Sequence, residues 1–238
     1  MNTAIATRAL ESINKDRLQE YHAYFDTIKP CDDTEIFRRG LFAFASVHTT
    51  WRKNVDLYAL LWDMGWIFDQ NELHRRILES RAGLTNNRTK FIWEFQKRYW
   101  AEPSFYLKQE DETWPEYRDR IEKHTLGLGH AKTSFFCELV YFEKAGVVCG
   151  DTHQLQLYGL KGNQSPGRRN MDYVERHWVE ECARLGLPPV TARWYLWDKK
   201  QRKNDSRYWS YVLEGGQPEL TLPRQLDLFN MSELRRAA

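Results

Sequence analysis

Apolar residues recur along most of this chain at the three- and four-residue steps of an amphipathic helix. Leu10, Ile13, Leu18, Tyr21, Tyr24, Phe25 and Ile28 share one helical face, and Pro30, which lacks an amide hydrogen, ends that run. The cluster Asp32-Asp33-Thr34-Glu35 offers an N-cap and a capping-box glutamate to a second helix through Ile36, Leu41, Phe42 and Ala45. A third is predicted from Trp51 through Val55, Tyr58 and Trp62 to a stop near Gly65. The same spacing continues over 70–80, 85–100, 113–124, 129–143 and 171–185, whereas alternating strand patterns are scarce. Residues 191–214, with Trp194, Tyr195, Leu196, Tyr208, Trp209 and Tyr211, fit either pattern. The expectation is an all-α protein without internal repeats.

Loops are expected at Ala101–Asp111 and at Gly159–Asn170, where Gly162, Ser165, Pro166 and Gly167 break any helix. Neither cuts the chain into independent domains, so residues 1–214 read as one helical domain of two lobes. The segment 215–238, opened by Gly215, Gly216, Pro218 and Pro223, reads as a tail off the globule.

Composition narrows the function classes. In 238 residues, 42% hydrophobic content supplies a real core and excludes a disordered or fibrous chain. No apolar run reaches the roughly 18–20 residues of a bilayer span, and Met1–Lys15 lacks a charged start followed by an apolar block, so a cytoplasmic chain away from membranes is expected; a monomer is a separate expectation. Lys and Arg number 35 against 33 Asp and Glu, so any nucleic-acid contact must rest on local patches. Cys31, Cys137, Cys149 and Cys182 lie too far apart for a zinc or iron–sulfur spacing and read as reduced structural thiols; no metal or cofactor is expected. Ten Trp, 12 Tyr and 12 Phe exceed what cores usually take and supply faces on which bases could stack.

The most informative stretch runs from Trp114 to Tyr158, with a helical hairpin over about 114–143. A polar helix is followed by the turn Leu126-Gly127-Leu128-Gly129, a second helix carrying Phe135, Phe136, Leu139 and Val140, and then Gly150-Asp151-Thr152-His153. Two glycines between helices let the backbone turn tightly and leave the next helix's first N–H groups open, an arrangement suited to a phosphate. Gly127, Gly129 and His130 are therefore the expected phosphate contacts of the hairpin, although a sharp turn alone also explains the glycines. Asp151, just before a short helical run, reads on its own as an N-cap.

Taken with its flanks, this stretch resembles the helix-hairpin-helix signature of the endonuclease-III-like (HhH-GPD) DNA glycosylase superfamily. Gly83-Leu84-Thr85-Asn86 with Arg88 and Lys90 is similar to that family's helix beginning Gly-Leu-x-Asn, and Ala45-Ser46-Val47-His48-Thr49-Thr50-Trp51 falls where the family carries Ser-x-Gln-x-Thr. The resemblance spans about residues 40 to 160 in the family's order. It implies a two-lobed helical fold with a cleft between the lobes, in which a damaged, mismatched or modified base is flipped out of duplex DNA and its N-glycosidic bond is cleaved. Extrusion is necessary because the glycosidic carbon is unreachable inside the stack. By the same resemblance Asp151 stabilises the positive charge growing on the sugar and helps activate the nucleophile.

Bifunctional members add a lysine that attacks the sugar, forms a Schiff base and confers AP-lyase activity; Lys132 is the candidate here. It follows the glycine pair by three residues where the family's lysine follows by two, and Ala131 holds the strict position. One helical step turns a side chain by about 100°, so Lys132 reads as nucleophile, phosphate contact or solvated cation. His48 replaces the family's Gln, and with Thr49 it is a candidate wedge for the gap that an extruded base leaves.

Basic residues gather at Arg88, Lys90, Lys97 and Arg98 as a candidate phosphate track, and Arg193-Trp194-Tyr195-Leu196-Trp197 reads either as a stacking surface or as core. In the tail, Gln225-Leu226-Asp227-Leu228-Phe229 is similar to the peptide by which bacterial replication and repair proteins bind the sliding clamp. There Leu226, Leu228 and Phe229 would fill an apolar pocket and Gln225 would fix orientation, in a bacterium or a phage-infected host. Two other functions fit the same residues: a phage-type transferase that joins an amino acid or polyamine to an activated thymine in DNA, and a non-catalytic DNA-binding module.

Overall fold

In the computed structural model, which describes residues 1–161 and 167–200, the first helical run is two helices rather than one. α1 (Thr3–Glu11) stops because the Asn14 side chain starts a new helix, accepting from the Arg17 amide at 3.0 Å, and α2 (Lys15–Thr27) follows. A short polar side chain that bonds nearby backbone competes with helix continuation. The apolar face survives the break, since Leu10, Ile13 and Leu18 all enter one core.

α3 (Asp33–Ala45) begins at the predicted cap, with Asp32 Oδ1 accepting from the Glu35 amide at 2.8 Å. Glu35 reaches back one residue further than a capping box requires and accepts from the Cys31 amide at 2.8 Å. α4 (Trp51–Leu61), α5 (Gln70–Glu79) and α6 (Thr85–Ala101) follow, and a 3-10 turn at Pro103–Tyr106 lies within the stretch predicted as loop. α7 (Trp114–His124) and α8 (His130–Val140) are the two hairpin helices, followed by α9 (Thr152–Leu157), α10 (Arg168–Leu185) and α11 (Pro189–Lys200). Among the described residues every regular element is helical, and α11 makes residues 191–200 helix. Residues 201–214 and the tail with Gln225, Leu226, Leu228 and Phe229 lie outside the described residues. No described helix is long and apolar enough to cross a membrane.

The chain forms two compact units. The first takes Met1–Pro30, Thr113–Arg120 and the described chain from His130 onward; the second takes Cys31–Glu112 and Ile121–Gly129. In the first, Leu10, Leu18, Val148, Leu155, Trp178 and Ala192 share a buried cluster. Two polar bonds set α11 in place there: Trp178 Nε1 donates to the Pro189 carbonyl at 3.0 Å, and the Tyr21 hydroxyl donates to buried Asp198 at 2.9 Å. In the second unit Phe37 is fully buried, its ring stacked on Phe95 at 5.2 Å and tilted on Trp100 at 5.1 Å. Gly40 allows this approach of α3 to α6, because a Cβ there would overlap the Phe95 ring.

Candidate active site around Asp151

Between α8 and α9 the chain carries Val147, Val148 and Cys149 through the interior of the first unit, so their backbone amides need internal partners. Two buried carboxylates supply those of Val148 and Cys149. Glu175 on α10 accepts from the Val148 amide at 3.0 Å, and Glu138 on α8 accepts from the Cys149 amide at 2.7 Å. The segment is thereby held to deliver Asp151 to the start of α9, where Oδ1 accepts from the Gln154 amide at 2.8 Å. Asp151 is therefore an N-cap, the role its position predicts.

Its second oxygen is also engaged. Arg193 on α11 directs Nη1 to Asp151 Oδ2 at 3.0 Å, while its Nε lies 2.6 Å from Glu138 Oε1 and its Nη2 bonds Glu138 Oε2. Glu138 is fully buried and accepts a further bond from Trp194 Nε1 at 3.2 Å, so every partner it has here is a donor. Burial opposes the charge on Arg193, but the Glu138 and Asp151 carboxylates outweigh it and hold the guanidinium's pKa above its ordinary value. Burial pushes Glu138 up and Arg193 opposes that shift. Burial also lifts the Cys149 thiol to about 12, so it is an inert neutral group beside the carboxylates.

A cavity of about 230 Å³ opens beside this pair. Ala9, Leu157 and Leu196 give it apolar walls, Trp197 an aromatic one, and Asp151, His153 and Lys200 its polar groups. His153 lies edge-on to Trp197 at 6.2 Å, and burial, partly opposed by Asp151, lowers its pKa. The Lys200 ammonium bonds the Gln156 side chain.

Lys132 is half-buried on α8, with its ammonium 5.5 Å from the centre of the Phe135 ring. Arg193 lies over the same ring at 5.9 Å, so the two cations flank one phenyl group. Lys132 does not line the cavity but is close enough for its charge to act on the Cys149 thiol, two residues before Asp151.

At the hairpin turn Gly127 has φ +94° and is pressed against Phe91, while Gly129 is exposed with nothing within 4 Å of where its Cβ would stand. His130 differs. Its side chain is buried, with Nε2 3.5 Å from Asp172 Oδ1, and burial followed by the charges of Arg118 and Arg168 lowers its pKa to about 4. The imidazole expected to meet a phosphate is thus buried.

Arg88 corrects the sequence expectation. It is 3% exposed, with Nε on the Gly83 carbonyl at 2.9 Å, Nη1 on the Phe44 and Ala45 carbonyls at 2.8 and 3.1 Å, and Nη2 on the Val47 carbonyl. The guanidinium caps the end of α3 and ties the 44–47 turn to the loop before α6, which leaves it unavailable to a phosphate track. Lys90 is exposed. His48 is exposed in the left-handed region at φ 44°, and the Thr49 hydroxyl is buried without a hydrogen-bond partner. Leu84 is 48% exposed at φ 53°, in the loop that Arg88 joins to the 44–47 turn.

Arg193 and Glu138 were not singled out by sequence reasoning as a pair. The signal for Glu138 is a carboxylate inside the apolar run Phe135 to Val140, because a buried charge requires a partner. Arg193 and Trp194 are both buried, so this part of the aromatic–basic segment is core rather than stacking surface; of its rings, Trp197 lines the cavity.

The chain matches no protein-family model and no curated protein by sequence. Its fold does match solved structures. The 8-oxoguanine DNA glycosylase of Thermotoga maritima aligns with a TM-score of 0.67 at 17% identity, over 84% of this chain and 98% of that one. The 8-oxoguanine DNA glycosylase of Methanocaldococcus jannaschii aligns at 0.66 and 16%, over 79% and 88%. The M. jannaschii 8-oxoguanine glycosylase/lyase in complex with a 15-mer DNA containing 8-oxoguanine aligns at 0.65 and 17%, over 83% and 98%. This chain therefore has the all-helical fold of those glycosylases, the fold its hairpin signature implies.

Proposed function

We propose that this protein is a DNA glycosylase that flips a base out of duplex DNA and cleaves its N-glycosidic bond, with Asp151 as the acting carboxylate. The observation that carries this reading is the setting of Asp151. It caps α9 at the rim of a cavity, fixed by the Gln154 amide on one oxygen and Arg193 on the other, in a fold shared with DNA glycosylases. A carboxylate held in a fixed direction stabilises the oxocarbenium-like charge that grows at the sugar as the base departs. Pre-arranged charge of this kind needs no reorganisation during the reaction.

Two nucleophiles are open to the reaction. Water activated at Asp151 would release free base and leave an abasic site; attack by the Lys132 amine would displace the base and yield a Schiff base that leads to strand cleavage. The exposed backbone at Gly129 and the exposed Lys90 are proposed to meet phosphates of the duplex. The structural neighbours act on 8-oxoguanine, which makes a duplex carrying it the first substrate to try.

The test incubates the full chain with duplexes bearing 8-oxoguanine and a panel of other damaged, mismatched and modified bases. Released base is read by mass spectrometry, and covalent adducts are trapped with borohydride. Free base from at least one duplex supports the proposal, and an adduct lost in Lys132→Ala assigns the lyase step. Intact glycosidic bonds across the panel overturn it. A mass gain on modified thymine in the presence of an amine donor would then indicate the transferase, and duplex binding alone the non-catalytic module.

A further inference from the structure

Arg193 does more than neutralise a buried charge. Its Nε and Nη2 satisfy Glu138, and that pairing alone would account for a cation at this depth. The remaining nitrogen, Nη1, turns outward to Asp151, whose side chain is 22% exposed against 5% for Arg193 itself. One planar fork thus joins an immobile, fully buried carboxylate to a partly exposed one at the rim of the cavity. Glu138 cannot yield, because the Cys149 amide and the Trp194 indole hold it from two further directions.

We propose that Arg193 is a positioning residue for Asp151, anchored on Glu138 so that the Asp151 carboxylate is held in one orientation toward the cavity. This inference rests on the glycosylase reading. An aspartate has two side-chain torsions. The N-cap bond from Gln154 restrains one oxygen, and Arg193 restrains the other, so together they fix both the rotamer and the plane of the carboxylate. Lysine would not substitute, because a point charge on a flexible stem cannot serve two carboxylates in fixed directions. Other charged groups near Asp151 are His153, Lys199 and Lys200, which line the same cavity, and Lys132, whose charge acts on Cys149; Arg193 is the group ion-paired with it.

Removing Arg193 alone would strand the Glu138 charge, so the decisive variant is the double substitution Arg193→Gln with Glu138→Gln, which leaves no unpaired buried charge. Three readouts are taken on the full chain: single-turnover base release from whichever duplex the wild type acts on, affinity for that duplex, and hydrogen exchange of the Gln154 amide. The double variant is expected to melt cooperatively and bind the duplex as the wild type does, yet to release base about 100-fold more slowly, the cost of roughly 1 Å of misplacement. The Gln154 amide is expected to exchange about fivefold faster as its cap loosens.

Wild-type base release together with wild-type Gln154 exchange in the double variant would overturn the proposal and leave Arg193 as a neutraliser of Glu138. If the double variant does not fold, Arg193→Lys is read in the same three ways, because it keeps the charge and loses the fork. If the wild type releases no base from any duplex, the glycosylase reading has failed; the exchange rate of Gln154 still decides whether Arg193 orders Asp151.

Discussion

Gly127 stands directly against the ring of Phe91, with φ at +94°, so a side chain at this turn would both strain the backbone and overlap the ring. The hairpin turn is thus fixed by packing on α6 as well as by its own sequence. Gly127→Ala is expected to destabilise the protein by about 2–4 kcal/mol, the sum of a left-handed penalty and overpacking. Gly129→Ala, in open space, is expected to change stability by less than about 0.5 kcal/mol and to weaken duplex binding instead. Urea unfolding and fluorescence anisotropy separate the two.

Arg88 and Lys90 are two residues apart and have opposite fates. Arg88→Ala orphans the carbonyls that close α3, and a loss of about 2–4 kcal/mol in urea unfolding is expected, consistent with several buried bonds to a charged group. Lys90→Ala is expected to leave stability unchanged and to reduce the salt slope of duplex binding by about 1, as removal of one phosphate contact does.

These two residues also show where sequence reading succeeds. The helix at 33–45 follows from its Asp32 cap and apolar spacing, and those at 70–79 and 85–101 from apolar spacing, all local properties. Whether a basic residue on such a helix points outward depends on which carbonyls of a distant loop need donors, and spacing carries no such information. Arg88 finds carbonyls more than 40 residues away, at Phe44, Ala45 and Val47. The N-cap at Asp151 is legible, since its position just before a short helical run is a local property. Its partner Arg193 is not, since 42 residues separate them and the aromatic neighbours of Arg193 suit a surface and a core equally.

His130 makes stability depend on pH. Burial and the neighbouring Arg118 and Arg168 hold its folded pKa at about 4, whereas the unfolded chain takes up that proton near the ordinary imidazole value of 6.5. Between those values the unfolded state binds more protons, so this group's contribution falls as pH drops from about 6.5 to about 4 and is then constant, a loss of up to about 3 kcal/mol. His130→Gln is expected to flatten this part of the stability profile, measured as urea midpoints at pH 7, 5.5 and 4.5 against the wild type.

The peptide Gln225–Phe229 supplies a separate test of partner choice. Leu228→Ala with Phe229→Ala is expected to abolish retention of the full chain on immobilised bacterial sliding clamp while leaving base release from short duplexes unchanged. Retention equal to the wild type would remove the clamp from the account.

The central claim is that the Asp151 carboxylate acts on an extruded nucleotide. Asparagine caps helices about as well as aspartate, so Asp151→Asn preserves the start of α9 while removing the charge. The most direct measurement is the single-turnover rate of base release by Asp151→Asn, alongside its melting curve and duplex affinity. The expected result is a folded variant that binds DNA and releases base at least about 100-fold more slowly. A folded Asp151→Asn that releases base at the wild-type rate would contradict the account.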